Sequence, residues 1–223
     1  MIFSSVKNFF FISKLTYLKF SILRIFQILE IKKLKLTGTL LDVGSKKSIS
    51  NVTNFISERK NIVYLDNFSS NNPNDLNMNL EIYSQNPGHS FDNVFLMNVL
   101  EHIYNYQNCL NNCYNLLSAR GLFFGSTPFI FVVHPSPNDY HRYTEQSLRK
   151  SLEIAGFKNI KIKVLAGGIG FCCYSLIFNI TKKIPFINNF LIMLAFIMDE
   201  IINIFSKNIR NITPIGYFFS AEK

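Results

Sequence analysis

Tryptophan is absent from this sequence, and acids are scarce: 14 Asp and Glu stand against 23 Lys and Arg. The missing tryptophan is offset by 23 Phe among plentiful Asn, Ile and Lys, a bias in which one isolated Lys, Asn or Phe says little. Cysteine is sparse too. Cys109, Cys113, Cys172 and Cys173 contain no C-x-x-C spacing, which disfavours a metal or disulfide framework and fits reduced, packed thiols of a cytosolic protein. No metal-ligand set is read from the chain. The stretch Phe9–Ile12 is too short for a signal peptide core, and no small-residue cleavage site follows it. No Lys/Arg block is interleaved with aromatics, so the net charge of +9 is not read as nucleic-acid binding. The uncharged interval from Ile184 to Met198 is shorter than the roughly 20 apolar residues that span a bilayer, and it contains Pro185, Asn188 and Asn189. No internal repeat is visible.

What is present is a globular composition, 48% hydrophobic and 17% charged over 223 residues, enough for one domain. Residues 1–36 predict a helix: Phe10, Ile12, Leu15, Leu18, Ile22, Ile25, Phe26 and Leu29 recur at three- and four-residue steps. Lys7, Lys14, Lys19, Arg24, Lys32, Lys33 and Lys35 face only Glu30 in this segment. Two readings of it stay open, a helix docked on the domain and a basic amphipathic helix resting on a membrane.

From residue 39 short apolar strands alternate with helical stretches. Strands are expected at 39–44, 61–68, 91–97 (running into a turn by 100), 121–128 and 158–166, with helices at 50–56, 107–118 and 144–157, the last capped by Thr144. Such alternation predicts an α/β fold with an open, mostly parallel sheet and helices on both faces. The apolar region 169–206 reads as a helical pair, packed or lying on a membrane, and "IGYFFSAEK" as a last strand. The expected organisation is a single domain over 1–223. It comprises an N-terminal helix (1–36), a cofactor-binding core (37–168), an apolar insertion (169–211) and the final strand (212–223).

In such a sheet ligands bind beyond the carboxyl ends of the strands, near the point where strand order reverses. Asp42, Gly44 and Ser45 follow the first strand, Asp66 ends the second, Asn98 follows the strand that starts at 91, and Thr127 lies at the end of the next. An acid some twenty residues after the first turn is placed to accept hydrogen bonds from ribose hydroxyls. The first turn itself is poor in glycine: "GSKKSIS" stands where a nucleotide-binding turn continues G-x-G.

"FDNVFLMNVLEHIYN" (91–105), "LLSARGLFFGSTPF" (116–129) and "HPSPNDYHRYTEQSLRKSLEIAGF" (134–157) together resemble class I S-adenosylmethionine-dependent methyltransferases. The matching motifs are F-D-x-V with V-L-E-H, the L-x-P-G-G strand ending in T-P, and H-x-x-P-x-D-Y-x-R-[FY]-T with A-G-F. The last block is similar to a type 11-like subgroup associated with polysaccharide biosynthesis. The resemblance implies a Rossmann-like, doubly wound seven-stranded sheet and S-adenosyl-L-methionine as cofactor. It implies a turn around the methionine moiety from Asp42, Val43, Gly44 and Ser45. Asp66 is implied at the ribose, Asn67 and Asn79 near the adenine with Asp75 as a rival, and Asn98, Val99 and Leu100 at the sulfonium. Departures fall at Gly44–Ser48, which lack the glycines of G-x-G-x-G, and at Ala119–Gly121, which keep one glycine of two. The cofactor has no phosphate, so Lys46 and Lys47 need not replace phosphate contacts.

The implied reaction is displacement at the cofactor's methyl carbon, with a saccharide or lipid-linked saccharide hydroxyl as acceptor. A hydroxyl needs a general base, and imidazole titrates near neutrality. His141 or His134 is expected as base with Asp139 orienting it, and His102, Thr127, Tyr140, Arg142 and Tyr143 are expected to line the acceptor. Two alternatives stand beside this: a methyltransferase-fold binding or scaffold protein with a decayed cofactor turn, and a small-molecule or N-methyltransferase. The expected location is cytoplasmic, peripheral at the inner face of the membrane through 1–36 and 169–206.

Overall fold

A computed structural model describes residues 6–44, 52–56, 61–66, 76–82 and 88–223. It contains one seven-stranded sheet: β1 (Leu40–Val43), β2 (Ile62–Asp66), β3 (Leu76–Asn77), β4 (Phe91–Met97), β5 (Leu117–Pro128), β6 (Lys158–Leu165) and β7 (Gly216–Glu222). Their spatial order is β3-β2-β1-β4-β5-β7-β6. β1 pairs in parallel with both β2 and β4, β2 with β3, and β4 with β5. β7 runs against them: the Lys223 N–H donates to the Gly121 carbonyl at 3.1 Å, while Phe219 covers Gly125, so one strand descends as the other rises. The α/β sheet is therefore mixed, with one antiparallel strand.

The sheet's centre is built from residues dry on both faces. Leu41, Val94, Phe95, Leu96 and Phe123 are fully enclosed, as expected of a parallel sheet covered on both sides. Helix α3 (Tyr106–Leu116) packs on β4 and β5 and buries Cys109, Leu110, Cys113 and Leu116 at helical spacing. The two thiols are packing groups here, and mutual hydrogen bonding and burial push the Cys113 thiol well above its ordinary pKa. Helix α4 (Glu145–Ile154) starts where the sequence places it, with Thr144 Oγ1 accepting the Ser147 N–H at 3.2 Å.

Several local expectations change. The helix expected over 1–36 is two helices, α1 (Val6–Tyr17) and α2 (Ile22–Ile31), separated where Lys19 takes φ +65°. The stretch 50–56 shows a single 3-10 turn at Val52–Phe55 among its described residues. β5 begins four residues earlier than expected, because Ala119-Arg120-Gly121 is accommodated inside the strand. The register steps from Phe91↔Leu117 to Asn93↔Leu122, so three extra β5 residues bulge out there, with Arg120 at φ +65°.

The chain divides into two compact units, one of Met1–Leu29, Ile130–Val132 and Val164–Gly216, the other of Glu30–Phe129, Val133–Lys163 and Tyr217–Lys223. The first is helical. It holds α1, α5 (Ile169–Thr181), α6 (Pro185–Phe205) and α7 (Ile209–Ile212). α6 continues through Asp199 and Glu200, beyond the uncharged interval seen in the sequence, and by length and composition it could cross a membrane. Asp199 is fully buried: its carboxylate accepts the Gly170 N–H at 2.7 Å and the Phe171 N–H at 3.0 Å, satisfying donors in the first turn of α5. Asn188, also fully buried, accepts from Tyr174 and Thr181 and donates to the Thr16 carbonyl. The remaining faces of α5 and α6 are apolar and open, with Ile180, Phe186, Ile204 and Phe205 each more than 70% exposed.

Candidate functional site

Strand order reverses between β1 and β4, since the chain leaves β1 toward β2 and β3 and later leaves β4 toward β5. The turns beyond these two strands face the crevice such sheets use for ligands. Gly44 follows β1 at φ +72° and donates its N–H to the Leu65 carbonyl at 2.7 Å. Asn98 follows β4 at φ +56°, a left-handed conformation Asn tolerates better than most residues. Its N–H reaches the Ser126 carbonyl at 2.9 Å, and Ser126 Oγ donates to its Oδ1 at 3.1 Å. Val99 then meets Gly44: a β-carbon on Gly44 would lie 2.6 Å from Val99 Cγ2. The structure thus brings together Gly44, Asn98 and Val99, three of the residues expected at the cofactor.

The other expected cofactor residues have different settings. Asp42 and Val43 are buried in β1, with Asp42 in register with Tyr64 and Phe95. Asp66 is the last residue of β2 and pairs with Asn77. Leu100 is fully buried. Asn79 is exposed, and its Oδ1 accepts the Glu81 N–H at 2.9 Å, a local turn. Ser45, Asn67 and Asp75 lie outside the described residues, as do Lys46, Lys47 and Ser48.

A second group of polar side chains is assembled by the 3-10 turn Leu100–His102 and the loop 134–143. The Glu101 carbonyl accepts the N–H groups of Tyr140 at 2.8 Å and His141 at 3.2 Å, which ties the loop to the turn. Tyr143 donates its hydroxyl to the Leu100 carbonyl at 3.2 Å, and burial pushes the phenol well above its usual pKa. Arg142 holds Asp139 in a two-point pair, Nη1 to Oδ1 at 2.5 Å and Nη2 to Oδ2 at 2.7 Å. This guanidinium lowers the Asp139 carboxyl to about 2. Arg142 also donates to the His141 carbonyl, and its charge acts on Glu101 as well as on Asp139.

Of the two histidines expected as base, His134 is the one beside Asp139. Its N–H donates to Oδ2 at 2.9 Å, and its ring Nδ1 lies 3.4 Å from the same oxygen. On the other side His134 Nε2 lies 3.6 Å from Glu101 Oε1. His102 approaches that oxygen too, with Nε2 at 3.8 Å, while its Nδ1 is 2.5 Å from the Asn138 carbonyl. His141 occupies a different setting. Its Nε2 is 3.2 Å from the Tyr104 carbonyl, with the rings of Tyr104, Tyr106, Tyr140 and Tyr143 around it. Thr127 is fully buried in β5, and its hydroxyl makes no hydrogen bond among the described residues.

Glu101 is the residue that sequence reading undervalues. It enters there only as one letter of V-L-E-H, yet it is fully buried, and three donors from Glu101, His102 and His134 lie within 4.8 Å of one another. A separation of 33 positions between Glu101 and His134 carries no ligand spacing, so no sequence signal joins them.

No family model matches the sequence, and no curated protein matches it. Solved structures do. An S-adenosylmethionine-dependent methyltransferase from Archaeoglobus fulgidus superposes with a TM-score of 0.53 at 14% identity, over 90% of this chain and 94% of that one. One from Mesorhizobium loti gives 0.54 at 12%, over 90% and 98%. The [4+2]-cyclase SpnF gives 0.54 at 12% identity, over 90% and 81%. The fold is therefore the one these methyltransferases share, and a cyclase is built on it as well.

Proposed function

We propose that this protein transfers the methyl group of S-adenosyl-L-methionine to an acceptor hydroxyl, on a saccharide or a lipid-linked saccharide. The observation that carries the reading is the meeting of Gly44 with Val99 at the reversal point of a methyltransferase-type sheet. There the Val99 side chain packs directly against the Gly44 backbone, so the turns after β1 and β4 adjoin, with Asn98 next to Val99 in the second turn. The 134–143 loop brings acid–base groups to the turn that follows β4. In the reaction an acceptor oxygen attacks the methyl carbon in line with the departing sulfur. The O–CH3 bond forms as the S–CH3 bond breaks, the cofactor leaves as the thioether, and the hydroxyl proton passes to His134 or His141. Alignment of the three atoms supplies much of the rate, and the imidazole supplies the proton acceptor.

Isothermal titration of S-adenosylmethionine into the purified chain tests this first. The expected result is one saturable site; absence of heat at millimolar ligand sinks the enzyme reading and favours a binding or scaffold role. Because a fold does not fix a reaction, acceptor chemistry needs its own assay. A 1,6-didemethyltoxoflavin-N1-methyltransferase from Burkholderia thailandensis shares this fold, with a TM-score of 0.54 at 13% identity over 91% of this chain and 78% of that one. It favours an amine acceptor as second reading. An amine needs no general base, so a His134→Ala/His141→Ala double variant with unchanged turnover supports the amine, whereas a loss of about 100-fold or more supports the hydroxyl.

The exposed apolar faces of α5 and α6, together with the lysines near α1 and α2, support a peripheral position on the cytoplasmic membrane surface, where lipid-linked acceptors are assembled.

A further inference from the structure

We infer that Glu101, His102 and His134 form a binding site for a divalent transition-metal ion. Glu101 is the starting point. Its carboxylate is fully buried, and neither oxygen accepts a hydrogen bond among the described residues. A carboxylate withdrawn from water in this way demands a cation or hydrogen-bond donors. Two imidazole nitrogens face its Oε1, His134 Nε2 at 3.6 Å and His102 Nε2 at 3.8 Å, and the Arg142 guanidinium, itself paired with Asp139, acts on it by charge without a hydrogen bond.

The tautomer of His102 decides what that nitrogen offers. Its Nδ1 lies at hydrogen-bond distance from the Asn138 carbonyl, an acceptor only, so Nδ1 carries the proton. In the neutral ring Nε2 then presents a lone pair toward a carboxylate, which is repulsive until a cation sits between them. His134 repeats the arrangement, with Nδ1 toward Asp139 Oδ2 and Nε2 toward Glu101. A backbone carbonyl behind one imidazole and a carboxylate behind the other are the partners that orient metal-ligating histidines. Arg142 in turn fixes Asp139.

Geometry and donor type narrow the ion. The three donor atoms lie within 4.8 Å of one another. Metal–donor bonds of about 2.0–2.2 Å place neighbouring ligands about 3.4 Å apart in a tetrahedral site, so a small closure of the side chains reaches bonding distance. Two imidazoles and one carboxylate favour zinc, manganese, iron or cobalt over magnesium and calcium, which take oxygen ligands. Three protein donors leave a coordination position open, as in catalytic rather than structural sites. A further consequence rests on the methyl-transfer reading above. An acceptor oxygen in the open position would lose its proton to water more readily and then take the methyl group as the sulfonium departs as thioether. His134 would then be a ligand, leaving His141 as the remaining imidazole base.

The test uses the full chain, stripped with a chelator and dialysed, then titrated with zinc, manganese or cobalt(II) alone. One equivalent of at least one ion is expected to bind, with a visible d–d spectrum for cobalt and a raised melting temperature at saturation. Glu101→Gln keeps the shape of the side chain and is expected to weaken binding at least about 100-fold; Asp139→Asn, one step further out, about 10–100-fold. If Glu101→Gln does not fold, the wild-type chain still decides: a visible d–d band that saturates at one equivalent of cobalt(II) supports the site, and its absence overturns it. No stoichiometric binding to the wild-type chain, or binding unchanged in Glu101→Gln, overturns the site. Methyl transfer is scored separately. Metal bound without turnover keeps the site and removes the consequence drawn from methyl transfer; turnover in chelated, metal-free protein keeps methyl transfer and overturns the site's catalytic part.

Discussion

Gly44 and Val99 lie so close that a β-carbon on the glycine would fall 2.6 Å from a Val99 methyl. Two separate constraints act on Gly44. Its φ of +72° strains any residue with a β-carbon by about 1 kcal/mol, and Val99 leaves that carbon no room. Gly44→Ala is therefore expected to lower stability by about 1–3 kcal/mol and to weaken S-adenosylmethionine binding. The double variant Gly44→Ala/Val99→Ala removes the clash but not the backbone strain, so part of the stability returns. Urea unfolding of the three proteins measures this, and equal losses in the single and double variants would show that contact with Val99 is immaterial.

The Asp139–Arg142 pair sets a pH dependence. Asp139 is held near 2, below the roughly 3.9 of an unfolded aspartate. A carboxyl lowered by folding stabilises the native state above the unfolded value, and that contribution fades as pH falls from about 4 toward about 2. Asp139→Asn is expected to cost about 1–3 kcal/mol at neutral pH, because hydrogen bonds to charged groups are lost. The difference between wild type and variant should shrink across that acid window. Urea midpoints collected from pH 6 down to 2.5 provide the check; a gap that does not narrow assigns the loss to something other than this ionisation.

Much of this fold is readable from local sequence, and the unreadable parts share a cause. The strand at Leu40, the Thr144 cap and the alternation of 158–165 depend on neighbours within a few residues. The division of 1–36 into α1 and α2 depends on Lys19 entering a left-handed conformation, which no propensity of lysine announces. The bulge at Ala119-Arg120-Gly121 appears only once β4 supplies a register to slip against. At the site, the turns after β1 and β4 follow from chain order plus the rule of strand carboxyl ends. The Glu101–His134 approach does not, since it is made by a loop folding back through the Glu101 carbonyl. Asp139 shows both sides. Its importance is visible in D-Y-x-R-[FY]-T, but its partners, Arg142 and His134 together, are a tertiary result.

Asp199 carries a prediction for the helical unit. It is an acid inside the most apolar helix of the chain, and it is buried because two N–H groups of the first turn of α5 need an acceptor. Burial raises its carboxyl above the usual range even so. Asp199→Ala leaves both donors enclosed and unsatisfied, with an expected cost of about 2–4 kcal/mol, while Asp199→Asn retains one acceptor oxygen and costs less. Proteolysis at sites within α5 and α6, followed at several denaturant concentrations, reads the local opening directly. Equal susceptibility of the Ala and Asn variants would count against the capping role.

The apolar face of the same helices supports the last prediction. Phe186 and Phe205 are 83% and 85% exposed, and Ile180 and Ile204 are nearly as open. Contiguous exposure of such residues is unfavourable in water at about 25 cal/mol per Å2 and is relieved by burial in a lipid interface. The lysines of the first 35 residues add attraction to anionic headgroups, and that part is screened by salt. Flotation with vesicles containing phosphatidylserine or phosphatidylglycerol is expected to carry the protein upward at low salt and less of it at high salt. Phe186→Ser/Phe205→Ser is expected to reduce binding at every salt concentration, because it acts on the apolar contribution. Charge reversal at Lys32 and Lys33 should instead reduce it mainly at low salt. Full recovery of the wild-type chain in the soluble fraction at low salt would remove the membrane from the account of these helices and leave their exposed face to another partner.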